Sequence, residues 1–282
     1  ERERDYFLEQ RYPAYGNLVP RDIATRAIFK TCFHEERGIF DARTQKNELA
    51  VYLDLTHKDE SELRRKLGGV LEIYEKFVGE SPYQNPMRVF PAVHYSMGGL
   101  WVDYEKSSDG RLVAESPRNQ ATSIPGLYAV GEVDYQYHGA NRLGANSLLS
   151  CLFGGTLTGP AVDAYRRALS RAAADLPRSV FDSAEAECRA DYERILTQNA
   201  DGPGENPYKL HEELGTLMLR DCTIERENPK LDALSDGLDA LGERLANVRV
   251  TDTAGRNNQG GPFVRHLEHM FVLAKVIAKG AR

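Results

Sequence analysis

The sequence has few of the features that mark secreted, membrane-spanning or metal-binding chains. No apolar run in its 282 residues approaches the roughly 20 that a membrane-spanning helix needs, and the opening ERERDYFLEQ is unlike a signal peptide. The 4 cysteines lack CxxC or zinc-ligand spacing, which predicts unpaired thiols in a reducing compartment. They are Cys32, Cys151, Cys188 and Cys222.

Charge of one sign is not in large excess, and several common catalytic motifs are missing. The formal net charge of -6 argues against a general nucleic-acid-binding protein, so no nucleic-acid partner is expected. The chain contains no Rossmann GxGxxG turn, no Walker A loop, no HExxH and no GxSxG. Any chemistry therefore rests on other residues.

What the sequence does contain falls into three regions, of which residues 1–85 are mixed. A helix is predicted from Pro20 and Arg21 through RDIATRAIFKTCFHEERG, and ESELRRKLGGVLEIYEKFVG predicts another. Between them, ELAVYLDLT (Glu48–Thr56) alternates as a strand does.

Residues 86–158 contain short apolar runs punctuated by glycine, and residues 159–282 predict four or five helices. In the former, the polar stretch EKSSDGRLVAESPRNQATSIP predicts a surface excursion that turns at Asp109-Gly110. In the latter, helices are predicted to start at Asn206-Pro207 and at Pro229. The last helix carries an apolar stripe, which consists of Phe263, Leu267, Met270, Phe271 and Ala274.

The stretch HGANRLGANSLL (His138–Leu149) places one arginine among small residues. Because Arg142 lies between two glycines, its backbone can turn tightly beside a bound group. A planar guanidinium binds a carboxylate through two hydrogen bonds, and the N–H groups of the helix that follows could face an anion. Neutral hydrogen-bonding groups nearby are supplied by Asn141, Asn146 and Ser147.

Two further cations stand out from their surroundings. His94 precedes the Gly98-Gly99 pair in HYSMGG, where the backbone can approach a ligand. Arg21 begins a predicted helix, where the helix dipole disfavours a positive charge. Taken one at a time, however, each such residue is more often structural than functional. Spacing alone indicates no more than an anion site.

Longer motifs carry a family resemblance. FPAVHYSMGGLWVD and IPGLYAVGEVDYQYHGANRLGANSLLSCLFGG resemble the flavoprotein subunit of succinate dehydrogenases and fumarate reductases. YPAYGNLVPRDIATRAIF and RHLEHMFVLAKVIAKGA resemble the same family, in particular the bacterial type coupled to a low-potential quinone. The motifs keep the family's order over essentially the whole chain, with EKSSDGRLVAESPRNQATS as an insertion.

The resemblance implies an α+β fold in three segments. Residues 1–85 match the later part of a capping domain, 86–158 the returning segment of the FAD-binding domain, and 159–282 a truncated α-helical bundle domain. In the family, the phosphate-binding glycine turn and the histidine that carries FAD covalently would lie upstream, and a small domain downstream. We therefore expect a fragment that by itself holds no stable FAD and is inactive.

The resemblance also implies a reaction, the interconversion of succinate and fumarate by hydride transfer to or from FAD. His94 and Arg142 match the residues that bind one end of the dicarboxylate, and Arg21 matches the family's proton-transferring arginine. An arginine has a pKa above about 12. It can therefore donate a proton only in concert with the hydride, with a relay of carboxylates replacing the proton.

For the cofactor, Glu132 in YAVGEVD matches the acid that contacts the ribityl chain. Ser147 and Leu148 match the positions that meet the flavin and its linker at a helix start, and Asn146 beside them is also expected to bind the cofactor. His138 and Asn141 are expected to shape the turn.

The resemblance implies an iron–sulfur subunit as direct partner and a membrane anchor subunit as indirect partner, at the cytoplasmic face of the bacterial inner membrane. Two alternatives stay open. L-aspartate oxidase is a related flavoprotein with a GE pair and an NRL motif, although HYSMGG and GANSLLS favour the dicarboxylate oxidoreductases. Alternatively, the chain acts only as an assembly module that docks an iron–sulfur subunit.

Overall fold

The first of two structural units is built from both ends of the chain. It comprises Glu1–Ala92 and Tyr192–Arg282, whereas the second unit comprises Val93–Asp191. The computed structural model describes residues 5–139, 141–198, 202–252 and 254–282. The three family segments drawn from the sequence follow other boundaries and stay a prediction.

The first unit opens with short helices. α1 spans Phe7–Arg11, a 3-10 turn spans Gly16–Leu18, and α2 spans Arg21–Phe29. α2 continues directly into a π-helical turn over Lys30–His34. Its start at Arg21 confirms the helix predicted from Pro20 and Arg21.

Two short antiparallel ribbons follow, in which β1 pairs with β2 and β3 with β4. Their strands are β1 (Ile39–Asp41), β2 (Lys46–Glu48), β3 (Val51–Leu53) and β4 (Met87–Val89). The single strand predicted over Glu48–Thr56 is therefore wrong in its extent. The amide of Ala50 donates to the carbonyl of Glu48 at 2.8 Å, and this three-residue turn divides the run between the two ribbons.

α3 (Glu60–Val78) confirms the second helix predicted for this region. The Asp59 carboxylate caps it by accepting the amide of Glu62 at 3.0 Å. Gly79 ends it in the left-handed conformation that glycine adopts without strain, with φ +78°. Its buried side chains are Leu63 and Leu71.

The largest hydrophobic core of the first unit lies among α6 (Pro207–Met218), α7 (Asn228–Leu245) and α8 (Gly260–Ala281). The predicted start at Asn206-Pro207 is confirmed, since Asn206 accepts the amide of Tyr208 at 2.9 Å. The start predicted at Pro229 also holds, within one residue. A π-helical turn, Leu219–Thr223, extends α6. The most deeply buried leucines of this core are Leu210, Leu234 and Leu238.

One member of the apolar stripe predicted for α8 is misplaced. Leu267 and Ala274 are buried as expected, but Met270 is 42% exposed. Val264 and Ala278 are buried as well, so the centre of the buried stripe is rotated away from Met270, which lies at its edge.

The second unit consists mainly of turns and isolated bridges beside a long helix, α4 (Asn146–Ala168). α5 (Arg178–Thr197) begins in this unit and ends in the first. Short 3-10 turns span Gly131–Val133 and Ala173–Asp175.

The polar stretch predicted to be a surface excursion is only partly exposed. It does turn at Asp109-Gly110, where the amide of Gly110 donates to the carbonyl of Ser107 at 2.9 Å. Beyond that turn, however, Asn119 and Gln120 are 0% exposed. The prediction failed because these amides form hydrogen bonds inside the unit, and such partners are invisible in the sequence.

Within the described ranges, no helix has the length and apolar character needed to cross a membrane. No group of three or more histidine, cysteine, aspartate or glutamate side chains there is arranged to hold a metal ion. All four cysteines are unpaired, as predicted, with Cys32 and Cys222 buried and Cys151 and Cys188 exposed.

Candidate functional site

Two glycine-containing turns of the second unit lie side by side. The Glu132 carboxylate accepts the amide of Ser96 at 2.9 Å, and the carbonyl of Val133 accepts the amide of Leu100 at 2.7 Å. Gly99 permits this approach, because a Cβ atom there would lie 2.2 Å from the Val133 carbonyl oxygen. The HYSMGG segment is thereby fastened to the 3-10 turn over Gly131–Val133, which we call the GE turn.

The arginine of HGANRLG lies against the same HYSMGG segment. Cζ of Arg142 is 5.0 Å from the centroid of the Tyr95 ring, which is a cation–π contact. The ring of His138 meets Tyr95 edge to face, with the centroids 5.2 Å apart. Between His138 and Arg142 the chain turns at Gly139, with φ +56°. The amide of Asn141 donates to the carbonyl of His138 at 3.3 Å.

Two polar atoms of this cluster are buried without a hydrogen-bond partner among the described residues. They are Nε of Arg142 and Nε2 of His138. A buried polar atom left unpaired costs about 1–3 kcal/mol, so native proteins keep few of them. Nη1 of Arg142 donates to the carbonyl of Leu143 at 3.2 Å. The cluster therefore holds unused hydrogen-bonding capacity beside a fixed positive charge, as an anion site requires.

Apart from Glu132, the predicted cofactor-binding residues lie in the first turn of α4. Asn146, Ser147 and Leu148 follow Ala145, which has a left-handed backbone with φ +67°. Ala145 supplies no side-chain cap, although the first N–H groups of a helix lack acceptors within the helix. Leu148 is 73% exposed. The start of α4 can therefore offer backbone amides to a ligand oxygen.

Close packing holds α4 against the GE turn. A Cβ atom at Gly154 would lie 2.4 Å from Cγ1 of Val130 and 2.6 Å from the hydroxyl of Tyr137. A Cβ atom at Gly131 would lie 2.8 Å from Sγ of Cys151. Glycine is needed at both contacts, so the helix start and the GE turn are supported by the same packing.

A buried polar network adjoins Tyr137, and the sequence gives no signal for it. The Gln120 amide donates to the hydroxyl of Tyr137, and the Gln136 amide donates to Asp134 at 2.9 Å. Burial and the nearby Asp134 carboxylate raise the pKa of Tyr104 to about 12. Burial, again with Asp134, also raises the pKa of Tyr137. Both phenols therefore stay neutral over the physiological range.

The predicted catalytic residues are distributed over both units. In the second unit, His94 is exposed and directly precedes Tyr95, whose ring contacts Arg142. In the first unit, Arg21 is the first residue of α2, is exposed, and forms no ion pair within the described residues. The structure thus joins the segments that carry His94, Arg142 and Glu132. Tyr95 was not predicted as part of the site, although it adjoins His94 in the sequence.

Comparison with known proteins agrees with these features. A family described as "FAD binding domain" matches residues 6–148, and one described as "Fumarate reductase flavoprotein C-term" matches residues 211–282. The first match covers the GE turn, Arg142 and the start of α4. Together they define a flavoprotein, and FAD is confirmed as the cofactor of its class.

Individual relatives narrow the class. The chain is 48% identical over 276 residues to the succinate dehydrogenase flavoprotein subunit of Bacillus subtilis, covering 98% of this chain and 43% of that protein. It is 34% identical over 269 residues to the fumarate reductase flavoprotein subunit of Escherichia coli, covering 95% of this chain and 40% of that protein. The chain belongs to the family of succinate dehydrogenase and fumarate reductase flavoprotein subunits.

A solved structure supports the same assignment. An Escherichia coli quinol fumarate reductase variant superposes with a TM-score of 0.72 at 30% sequence identity, covering 94% of this chain and 41% of that chain. The match confirms the predicted α+β fold. The chain thus spans about two fifths of the length of the relatives it matches. These relatives favour the dicarboxylate oxidoreductases over L-aspartate oxidase.

Proposed function

We propose that the chain supplies the dicarboxylate-binding and part of the flavin-contacting surface of an enzyme subunit that interconverts succinate and fumarate. The observation that carries the proposal is the pair of unpartnered buried atoms on Arg142 and His138. A dicarboxylate end would satisfy both, because a carboxylate accepts from the guanidinium and also from a protonated imidazole nitrogen.

The roles of the substrate-binding residues follow from charge and position. Arg142 would bind and orient one carboxylate, and its charge would stabilise the negative charge that develops beside that carboxylate during the reaction. His94, on the segment fastened to Glu132, would donate to the same end of the substrate. His138 would shape the turn and complete the hydrogen bonding of the bound carboxylate.

The residues present fit the flavin cofactor. The uncapped start of α4 offers amides at Ser147 and Leu148, and Asn146 adds a side-chain amide. Glu132 uses Oε1 for the backbone of Ser96, and Oε2 would accept a ribityl hydroxyl. When bound, FAD supplies the acceptor or donor of the hydride. The chain's own residues hold the cofactor and orient the substrate toward it.

Arg21 would hold the proton that is exchanged with the substrate. It lies at the start of α2, where the helix dipole disfavours a cation, and no described acid pairs with it. Its neighbour Asp22 pairs instead with Arg26, at 2.8 Å. An arginine kept at an electrostatically unfavourable, exposed position supports a functional role.

We also infer that the chain works in an assembly. The relatives are named as subunits, and the superposed structure is a quinol fumarate reductase. The proposed partners are an iron–sulfur subunit in direct contact and a membrane anchor subunit reached through it, at the cytoplasmic face of the bacterial inner membrane.

The test replaces the matching segment of the Bacillus subtilis flavoprotein subunit by these 282 residues, in a strain that lacks its own subunit. We expect dye-coupled succinate oxidation. The change Arg142→Lys should lower kcat/KM at least about tenfold, because a lysine loses the bidentate geometry while it keeps the charge.

The matched control is Arg111→Lys, whose side chain is 86% exposed, and it should behave like the parent. A chimera that holds flavin but shows no succinate oxidation would overturn the proposed substrate. An active chimera in which Arg142→Lys stays within about twofold of the parent would show that Arg142 is structural.

A further inference from the structure

We propose that Tyr95 is a positioning residue, whose ring fixes Arg142 and His138 so that their free polar atoms serve one anion. The inference rests on the proposed function, because it names a determinant of that same site. It adds a residue that neither the sequence motifs nor the family match assigns a role.

The contacts of the ring carry the inference. Tyr95 is half-buried and touches both members of the pair, at 5.0 Å to Arg142 Cζ and 5.2 Å between ring centroids to His138. The two unpartnered buried atoms belong to these same two residues. Arg142 and His138 therefore share a neighbour, the ring of Tyr95, which contacts both side chains.

The chemistry of the contact explains what the ring does. The negative face of an aromatic ring attracts a cation, so Tyr95 lowers the freedom of a long side chain without using its N–H donors. A salt bridge would fix Arg142 equally well, but it would occupy those donors and neutralise the charge. A ring leaves both for the ligand.

Backbone hydrogen bonds hold the segment that carries Tyr95 in place. The next residue, Ser96, donates its amide to Glu132 at 2.9 Å, and Leu100 donates to Val133 at 2.7 Å. Because Gly99 allows the close approach of these turns, the ring has a fixed base. A positioning residue needs such support, since a mobile ring could not order its neighbours.

The experiment uses the 282-residue chain with 15N-labelled arginine and follows the Nε–Hε signals by nuclear magnetic resonance. The signal of Arg142 is identified as the one that disappears in Arg142→Lys. In the parent and in Tyr95→Phe, which keeps the ring, we expect a dispersed Arg142 signal with slowed solvent exchange. In Tyr95→Leu the signal should move to the position of exposed arginines such as Arg111.

The second readout is titration of the chimeric subunit with malonate, an unreactive dicarboxylate, followed through the flavin spectrum. Tyr95→Phe should bind with the parent's affinity, and Tyr95→Leu should bind about 3- to 30-fold more weakly, the range expected for a lost cation–π contact. The control Tyr135→Leu removes a tyrosine of the same unit that is 42% exposed, and it should match the parent. Tyr95→Met provides a second ring-free variant if Tyr95→Leu fails to fold.

The outcomes separate this inference from the proposed function. An Arg142 signal and a malonate affinity that are unchanged in both ring-free variants would overturn the role of Tyr95. If Tyr95→Phe changes the Arg142 signal and the malonate affinity as much as the ring-free variants do, the effect belongs to the hydroxyl and not to the ring. This result would also overturn the role of the ring. The Arg142 signal could change in the ring-free variants while the parent shows no malonate shift. That result would support the positioning role of Tyr95 and count against the proposed function.

Discussion

The helical bundle of the first unit and the turns of the second unit are stabilised in different ways. The bundle buries leucines such as Leu210 and Leu234, both 0% exposed, and apolar burial is not directional. The second unit buries amides, including Gln120, and needs glycine where backbones meet, as at Gly99. Such contacts tolerate little displacement. The candidate anion site therefore lies in the unit whose geometry is more tightly specified.

The largest effect is expected from a residue of the first unit, Arg21. If it is found, the functional residues are not confined to the second unit, and the comparison no longer holds for catalysis. In the chimeric subunit, Arg21→Gln should lower kcat and kcat/KM together by about 100- to 10,000-fold, as loss of an acid catalyst does. Affinity for malonate, measured by titration of the flavin spectrum, should stay within a few-fold of the parent.

Arg26→Gln is the matched control, since Arg26 lies on the same helix and pairs with Asp22. It should leave kcat nearly unchanged. If Arg21→Gln instead weakens malonate by the factor by which it lowers kcat/KM, with kcat intact, Arg21 is a substrate-binding residue and not a proton donor.

The next effect concerns the stability of the bundle. Leu234→Ala should lower the free energy of unfolding by about 2–5 kcal/mol, because it leaves a cavity in a fully buried position. Leu273→Ala, at a site that is 59% exposed on α8, should change it by less than about 0.5 kcal/mol. Urea unfolding followed by circular dichroism measures both, and equal effects would contradict the assigned core.

A smaller effect is expected from the polar network of the second unit. Gln120→Leu keeps the bulk of the side chain but removes the amide that donates to Tyr137, which should cost about 1–3 kcal/mol. Trp101, the single tryptophan, lies in this unit and reports its unfolding by fluorescence. Gln10→Leu, at an exposed position of α1, serves as the control. A neutral Gln120→Leu would show that the network does not stabilise the unit.

The smallest effect appears only at high pH. The pKa of Tyr104 is raised from 10.0 to about 12 by burial and by Asp134, so folding favours the neutral phenol. This contribution to stability is fully present below pH 10 and is lost as the pH rises toward 12. Tyr104→Phe should therefore lose less stability than the parent over that interval, when the stability of each protein is expressed relative to its own value at neutral pH. Tyrosinate absorbance follows the titration, and an ordinary pKa for Tyr104 would remove the basis of this prediction.

Local signals in the sequence predicted most helices of the first unit. Asp59 before α3 and Asn206 before α6 are capping residues whose hydrogen bonds form within a few positions, so the sequence contains both partners. The strand over Glu48–Thr56 failed because its division depends on a turn at Ala50 and on pairing with a distant strand. The predicted burial of Met270 was wrong because a stripe of apolar residues does not show which of its edges faces the neighbouring helices.

The candidate site was predictable only through longer motifs. Spacing indicated an anion site at Arg142, and the family resemblance named His94, Arg21 and Glu132. Neither could reveal Tyr95, because a cation–π contact joins residues 47 positions apart only after both turns have formed. Gln120 was missed for the same reason, since its partner Tyr137 becomes its neighbour only through the fold.

The helix that begins the flavin-contacting surface would be a poor helix by itself. Within Asn146–Ala168, α4 contains Pro160 and the glycines Gly154, Gly155 and Gly159, residues that each weaken an isolated helix by about 1 kcal/mol or more. A peptide with this sequence should be largely unfolded in water. In the chain, Gly154 gains direct packing on Val130 and Tyr137. Helix formation and docking are therefore expected to occur as one cooperative folding event, so the start of α4 exists as a binding surface only where the GE turn has already folded.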